Sequence, residues 1–467
     1  MGDFFLEKGN QPGWNKVFKS MGVSPPTPLK RVRGELKKDV LSDKKIVTGA
    51  ASGGISKDVF KAVYKELGAS GIVTTLADKE KANGLVFDAT GIKTVAELKD
   101  LYNFFHTYSK RSLKTCSRVV LIVNTVPSSV EEYKGDADGY EEYCAMHRGM
   151  EGFMRSLAKE LGGKGTTVTL LRITDASKVN EQTLLPYLHF LLSDAPTFFT
   201  SQVIEINTDI SLGELAKIEK PLTGKTAIVT GSARGIGEAT ARQLAAAGAT
   251  VVIHDLPKAE AAGKAVADSI GGKFFGADMS TAEAPRIIAD FVKNELGGSV
   301  DIVIHNAGIT LDKTLANMKE KQWDLVMSIN LKSIVETNKL LLNEGLINQN
   351  GRIVALASIS GVAGNNGQTN YAMSKAGVIG YVKSLSQSSL LTDKGITINA
   401  VAPGFTESEM TAKMPAAIAF FGRRLSSLNQ GGQPVDIGNV ITFLASPGIA
   451  ATTGQTLRVC GGGFVGA

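Results

Sequence analysis

Residues Lys225–Asp255, KTAIVTGSARGIGEATARQLAAAGATVVIHD, decide how this chain folds. Lys225–Thr230 is short and rich in β-branched residues and predicts a strand, as does Thr250–His254; the alanine-rich Glu238–Ala247 between them predicts a helix. The first strand runs into T-G-x-x-x-G-x-G at Thr230, Gly231, Gly235 and Gly237. Glycines there let the backbone approach a pyrophosphate, and the helix start offers N–H groups and the positive end of its dipole. Many α/β turns need glycine only for a positive φ, so the turn gains its weight from context. Asp255 ends the next strand 18 residues after Gly237, near the roughly 20 expected for an acid that accepts from an adenosine ribose. Such a carboxylate repels a 2′-phosphate. It favours NAD(H) over NADP(H), against Arg234, which is placed to pair with that phosphate. Gly231, Arg234, Gly235, Ile236, Gly237 and Asp255 are the first candidate cofactor residues.

Downstream, strands at Ile302–His305, Arg352–Ala357 and Thr397–Val401 alternate with helical stretches. That alternation predicts βαβ units and a parallel sheet. Asp278 and Met279 follow the third strand, and Asn306, Ala307 and Gly308 follow the fourth, at carboxyl ends where open sheets bind ligands. Ser358 precedes Tyr371 by 13 residues, and Lys375 lies four beyond Tyr371. On a helix, i and i+4 share a face. A Lys ammonium beside a phenol is expected to lower the Tyr pKa from about 10. The Tyr then exchanges a proton with a substrate oxygen that the Ser hydroxyl steadies.

The whole chain has 467 residues, a net charge of +6, three cysteines and 51 glycines. Its length predicts two or three domains. No apolar run reaches the roughly 18 residues that span a bilayer, and MGDFFLEKGN lacks the order of a signal peptide. Leu6 stands where a myristoylation site wants Ser or Thr. Cys116, Cys144 and Cys460 have neither metal-ligand spacing nor an even count, so a reducing cytoplasm is expected and no metal. Residues 1–220 hold 30 basic and 27 acidic groups, a surplus of three, and the remainder carries the same surplus. This even spread, despite the cluster Lys30, Arg31, Arg33, Lys37, Lys38, Lys44 and Lys45, argues against a nucleic-acid arm.

Residues 1–40, with PPTP and many charges, read as an extended arm; a first domain follows at 41–215 and a second at 222–467, divided at the polar Ser211–Gly224. The two domains look like copies. IVTGAASGGI (46–55) matches IVTGSARGIG (228–237), and LVFDATGI (85–92) matches IVIHNAGI (302–309). Tyr143-Cys-Ala-Met-His147 matches Tyr371-Ala-Met-Ser-Lys375, and HFLLS (189–193) matches TFLAS (442–446). The matches are collinear, and the first copy is some 35 residues shorter between the turn and the fourth strand. It lacks an evident acid-bearing second strand, and His147, mostly neutral at pH 7, replaces the Lys. A packing or assembly module is the expectation for it.

Together these residues make 222–467 resemble a classical short-chain dehydrogenase/reductase. Within that family, NAGITLDKTLANMKEKQWDLVMSINL (306–331), GNNGQTNYAMSKAG (364–377), GITINAVAPGF (395–405) and TFLASP (442–447) resemble the 3-oxoacyl-[acyl-carrier-protein] reductases. The two-part layout, with QGGQPVD (430–436) and RVCGG (458–462), resembles the high-molecular-weight (FabG-type) reductases, in which a flavodoxin-like domain precedes the reductase. The resemblance implies two Rossmann-like αβα domains, the first shortened and flavodoxin-like. It implies a catalytic tetrad of Asn330, Ser358, Tyr371 and Lys375, with Lys375 also holding the nicotinamide ribose and Asn330 a water link to solvent. Pro403, Gly404 and Thr406 would contact the carboxamide side of the nicotinamide, and Thr406 to about Leu428 would be a mobile lid over the acyl chain.

Two positions depart from the pattern. His305 stands where these reductases usually have Asn, and reads as a packed strand-end residue. Glu336 and Asn343 stand where carrier-protein reductases commonly have Arg, leaving Lys394 as the remaining base, so acyl-CoA is as good a substrate as the acyl carrier protein. The reading is thus an NADH-dependent 3-oxoacyl-thioester reductase of lipid metabolism, a homodimer or a tetramer. Its rivals are a 3-hydroxyacyl-CoA or other secondary-alcohol dehydrogenase and, from another class, a non-catalytic scaffold. Phe464–Val465 reads equally as a subunit contact or a free tail.

Overall fold

The computed structural model describes residues 3–20, 25–109, 112–133, 139–210, 217–412 and 414–463. The linker at 211–216 and the terminal Phe464–Val465 lie outside them. The chain builds two fully parallel sheets. The first holds β1 (Ile46–Ala50), β2 (Ala82–Asp88), β3 (Leu113–Asn124), β4 (Thr167–Ile173) and β5 (Gln202–Ile206), in that spatial order. The second holds β6 (Thr226–Thr230), β7 (Thr250–Asp255), β8 (Lys273–Gly276), β9 (Val300–His305), β10 (Ile347–Leu356), β11 (Thr397–Pro403) and β12 (Thr456–Val459). Its order is β12-β11-β10-β9-β6-β7-β8. The central strands, such as Val119–Val123 and Ile302–Ile304, are buried Val/Ile/Leu runs, as expected where helices cover both faces.

The two topologies are one plan with a deletion. Val73 makes an isolated parallel bridge to Val47, and its carbonyl accepts from Thr48 N at 2.8 Å. That bridge lies on the edge of β1 opposite β2, where β7 flanks β6 in the second sheet. The first sheet therefore keeps β7 only as a bridge and has no counterpart of β8 among the described residues. The missing βαβ step matches the length lost from the sequence.

The sheets meet along equivalent elements. Arg458 N donates to Gln202 Oε1 at 3.0 Å, and Gln455 Nε2 donates to the Glu205 carbonyl at 2.6 Å, joining the β12 and β5 edges. Phe190, on the helix before β5, stacks on Phe443, on the helix before β12, with ring centroids 4.3 Å apart. One buried apolar cluster runs through this junction into both units. Among the described residues no helix is long and apolar enough to cross a membrane.

The amino-terminal arm differs from expectation. It is extended only after residue 25; before that it folds into two short helices, Phe4–Gly9 and Pro12–Ser20. In the second helix Trp14, Val17 and Phe18 form an apolar stripe at i, i+3 and i+4, which composition alone obscured.

Candidate active site

The glycine-rich turn links β6 to the helix Gly235–Ala246. Gly231 (φ +65°) and Gly235 (φ +64°) take left-handed backbone that a side chain would strain. A methyl on Gly237 would come 2.2 Å from the Gly231 carbonyl oxygen, so strand end and helix start touch through bare backbone. Asn306, just beyond β9, locks the turn by donating to the Thr230 and Gly231 carbonyls at 2.9 and 2.7 Å. Ala307 N donates to Thr230 Oγ1. Asp255 is aimed across the turn: its carboxylate accepts from Ala233 N (2.9 Å) and Leu256 N (2.8 Å). Arg234 is largely exposed and lies 3.4 Å from Glu409. Asp278 accepts from Ser280 N at 2.9 Å, and Met279 is buried beside it. Ile236 packs against the main core. Gly404 N donates to the Val459 carbonyl, and Thr406 Oγ1 to the Gly404 carbonyl at 3.2 Å.

The four tetrad candidates converge at the carboxyl end of the sheet. Ser358 caps the short helix Ile359–Ala363, accepting from Ser360 N at 3.1 Å, and its side chain bonds Tyr371. Tyr371 and Lys375 share a face of the helix Thr369–Leu385, with Nζ 5.8 Å from the phenol ring centroid. Lys375 Nζ donates to the Leu356 carbonyl at 2.7 Å. Asn330 sits in a π-helical turn, Ser328–Lys332, an irregularity frequent at functional sites. It accepts from Ile309 N and donates to the Ile309 carbonyl, both at 2.9 Å, and donates to Ser374 Oγ at 3.2 Å. Gly308 joins the group: a methyl there would lie 3.2 Å from Asn330 Oδ1 and 3.4 Å from Lys375 Nζ.

The expected depression of the Tyr371 pKa is not what this geometry gives. Burial raises the phenol pKa, and only the Ser358 hydrogen bond opposes it. Burial also pushes Lys375 down to about 8. Taking both groups out of water disfavours both charged forms, and the ammonium is directed to a carbonyl rather than to the phenol oxygen.

His305 is buried, bonded to Asn338 Oδ1 at 2.7 Å, and pushed down to about 4 by burial, so it is a neutral packed residue. Sequence reasoning missed a polar chain beside Tyr371. Gln368 donates to Asp312 at 2.8 Å and accepts from Ser360 Oγ and Asn365 Nδ2, both at 2.9 Å. A lone Gln three residues before Tyr371 carries no signal of this in one sequence.

The first sheet's turn is closed instead. Asp88, at the end of β2 and buried, accepts from Ile55 N (2.6 Å), Thr90 N (2.9 Å) and Thr90 Oγ1 (2.7 Å). A methyl on Gly54 would come 2.4 Å from that carboxylate, which leaves no room for a second anion. His147 is fully buried, neither ring nitrogen has a hydrogen-bond partner among the described residues, and burial pushes it to about 4.

A family model described as "Enoyl-(Acyl carrier protein) reductase" matches residues 231–463. The 3-oxoacyl-[acyl-carrier-protein] reductase FabG of Vibrio cholerae serotype O1 is 39% identical over 251 residues, covering 52% of this chain and 99% of that protein. Nodulation protein G of Rhizobium sp. (strain N33) is 39% identical over 52% of this chain and 97% of its own length. The Escherichia coli (strain K12) FabG reductase is 38% identical over 52% and 98%. Among solved structures, the angucycline C-6 ketoreductase LanV with bound NADP aligns at 28% identity and a TM-score of 0.48, over 51% of this chain and 95% of that one. The chain belongs to the short-chain dehydrogenase/reductase family of oxidoreductases and, over about half its length, resembles the 3-oxoacyl-[acyl-carrier-protein] reductases.

Proposed function

We propose that residues 222–467 are an NADH-preferring domain that reduces 3-oxoacyl thioesters to 3-hydroxyacyl thioesters, and that residues 41–215 are a companion domain without a cofactor. The observation that carries this is the convergence of Ser358, Tyr371, Lys375 and Asn330 beside an open glycine-rich turn. The residues present fit a dinucleotide: Gly231 and Gly237 pack bare backbone against the strand end, Gly235 faces open space, and the first-turn N–H groups of the helix have no intrahelical acceptor. Those groups, with Arg234 and Ile236, would hold the pyrophosphate and Asp255 the adenosine ribose. Asp278 and Met279 would border the adenine. Asn306, Ala307, Gly308, Pro403, Gly404 and Thr406 would frame the nicotinamide half. When bound, the nicotinamide supplies the hydride that reaches C3.

Ser358 and Tyr371 donate to the oxygen on C3, where negative charge develops, and Tyr371 delivers its proton to it. Its raised pKa keeps the phenol protonated at neutral pH until then. Lys375 stabilises the transient phenolate, and Asn330 orders the polar path that returns the proton. Asp255, already held by two backbone N–H groups, disfavours a 2′-phosphate. Glu336 and Asn343 in place of basic residues support acyl-CoA as a substrate beside the acyl carrier protein. Because β12 already faces β5 within the chain, a homodimer through the helices bearing Asn330 and Tyr371 is the assembly proposed.

The test is the fall in NADH absorbance with acetoacetyl-CoA. Wild type should turn over, and Tyr371→Phe should lose about 10²–10⁴ in kcat while still binding NADH. Absence of turnover by the wild type with every 3-oxoacyl thioester removes the proposal.

A further inference from the structure

We infer that the amino-terminal hairpin, Asp3–Ser20, is a strut that positions the helix Ala416–Arg424 within the segment Thr406–Leu428, with Asp3 and Arg424 as its positioning residues. The inference deepens the proposed function, resting on the reading of that segment as the cover over the acyl chain.

The helix Ala416–Arg424 has little apolar packing of its own. Of its residues only Ala419 and Arg423 are buried, and Ile418 and Phe421 remain 59% and 66% exposed. Segments with few buried apolar contacts open at low free energy, so their position depends on specific attachments. Several attachments hold its last turn. Gly422 lies on the Phe405 ring, where a methyl would come 2.5 Å from Cδ2. Arg423 forks onto Glu407, near the start of the same segment, at 2.6 and 2.9 Å. Arg424 forks onto Asp3, from the other end of the chain, at 2.8 Å through both nitrogens. Arg424 also donates to the Asn429 carbonyl. The Asp3 and Arg424 side chains are only 7% and 16% exposed, so the pair is a largely buried, two-pronged ion pair whose loss weakens the hold on the helix end.

The hairpin is itself anchored. Asn10 donates to the Pro26 carbonyl at 3.0 Å, and Gly9 abuts Pro25. The extended stretch beyond is pinned by Gln430 donating to the Thr27 carbonyl (2.8 Å) and by Arg31 on Asp436. Gly34 and Gln243 then exchange two hydrogen bonds, and Gln243 lies on the helix that starts at the glycine-rich turn. The arm thus ties the helix over the acyl end to the helix at the dinucleotide end.

A cover fixed at one end presents a partly formed acyl wall before substrate arrives. Loosening it should penalise long acyl chains and leave the nucleotide and the chemistry alone. The experiment uses the full chain as Asp3→Asn, Asp3→Glu, Arg424→Gln and the Asp3→Asn/Arg424→Gln double variant. Two readouts are taken: amide hydrogen exchange of residues 416–425, and KM for 3-oxododecanoyl-CoA against acetoacetyl-CoA. Each single neutral variant should speed exchange in 416–425, and Asp3→Asn should raise KM for the long substrate about three- to tenfold, with kcat and KM for NADH within about twofold. The double variant should be no worse than either single one, and Asp3→Glu should recover part of the loss. Unchanged exchange in both single variants, additive effects in the double, or equal KM changes for long and short substrates would overturn the strut. Because exchange is read without turnover, a wild type inactive on 3-oxoacyl thioesters refutes the proposed function and leaves the strut still tested.

Discussion

The two glycine-rich turns of this chain share a sequence pattern and differ in structure. After β6, Gly235 faces open space and Asp255 reaches the turn only at its edge, held by Ala233 and Leu256 N–H groups. After β1, the Asp88 carboxylate sits in the turn and takes the Ile55 N–H that an anion would need. The same contrast recurs on the helices that follow β10 and β3. One carries Tyr371 and a polar-bonded Lys375; the other carries Tyr143 and a buried His147 with its ring nitrogens unpaired among the described residues. On the proposed reading, a βαβ scaffold alone does not make a nucleotide site. What would decide is whether the helix start is left open and whether a cation stands four residues after the tyrosine.

Making the second site resemble the first should have the largest effect. Lys375→His is expected to lower kcat/KM by about 10² or more at pH 7, since a buried imidazole is neutral there. In the wild type the ammonium loses its proton as pH rises through about 8, so kcat/KM should fall above that pH. A profile flat to pH 10 would separate Lys375 from the chemistry. For stability the sign is opposite. Between about 8 and 10.5 the unfolded chain binds more protons at this residue, so the burial penalty eases as pH rises.

A smaller effect is expected at the acid that the first copy lacks. Asp255→Ala should shift the NADH-to-NADPH ratio of kcat/KM about tenfold toward NADPH, by removing a like-charge clash with the 2′-phosphate. Better use of NADPH than NADH by the wild type would refute the assigned preference. The smallest effect is expected in the first unit. His147→Leu should leave turnover unchanged and stability equal or up to about 2 kcal/mol higher by urea denaturation, because a buried polar group without a partner is exchanged for an apolar one. Lost NADH turnover would mean that the first unit takes part in the reaction.

Much of this contrast was legible in the sequence, because it is written locally. The strand, turn and helix of 225–246, the acid at Asp255 and the four-residue step from Tyr371 to Lys375 all lie within short windows. The shortened first copy was visible as missing length. Closure of its turn was not, since Asp88 lies 33 residues from Ile55 and only the folded β1–β2 pairing brings them together. The direction of the Tyr371 shift was missed for a related reason: a charge partner can be read from spacing, whereas burial of both groups is a property of the packed helix. Asp3 and Arg424, 421 residues apart, carry no mutual signal at all.

One unit is proposed to bind dinucleotide and the other not, and calorimetric titration of the full chain with NADH separates the two most directly. One NADH per chain is expected, lost in Gly237→Val and retained in Gly54→Val. Two per chain, or one that survives Gly237→Val and is lost in Gly54→Val, would contradict it.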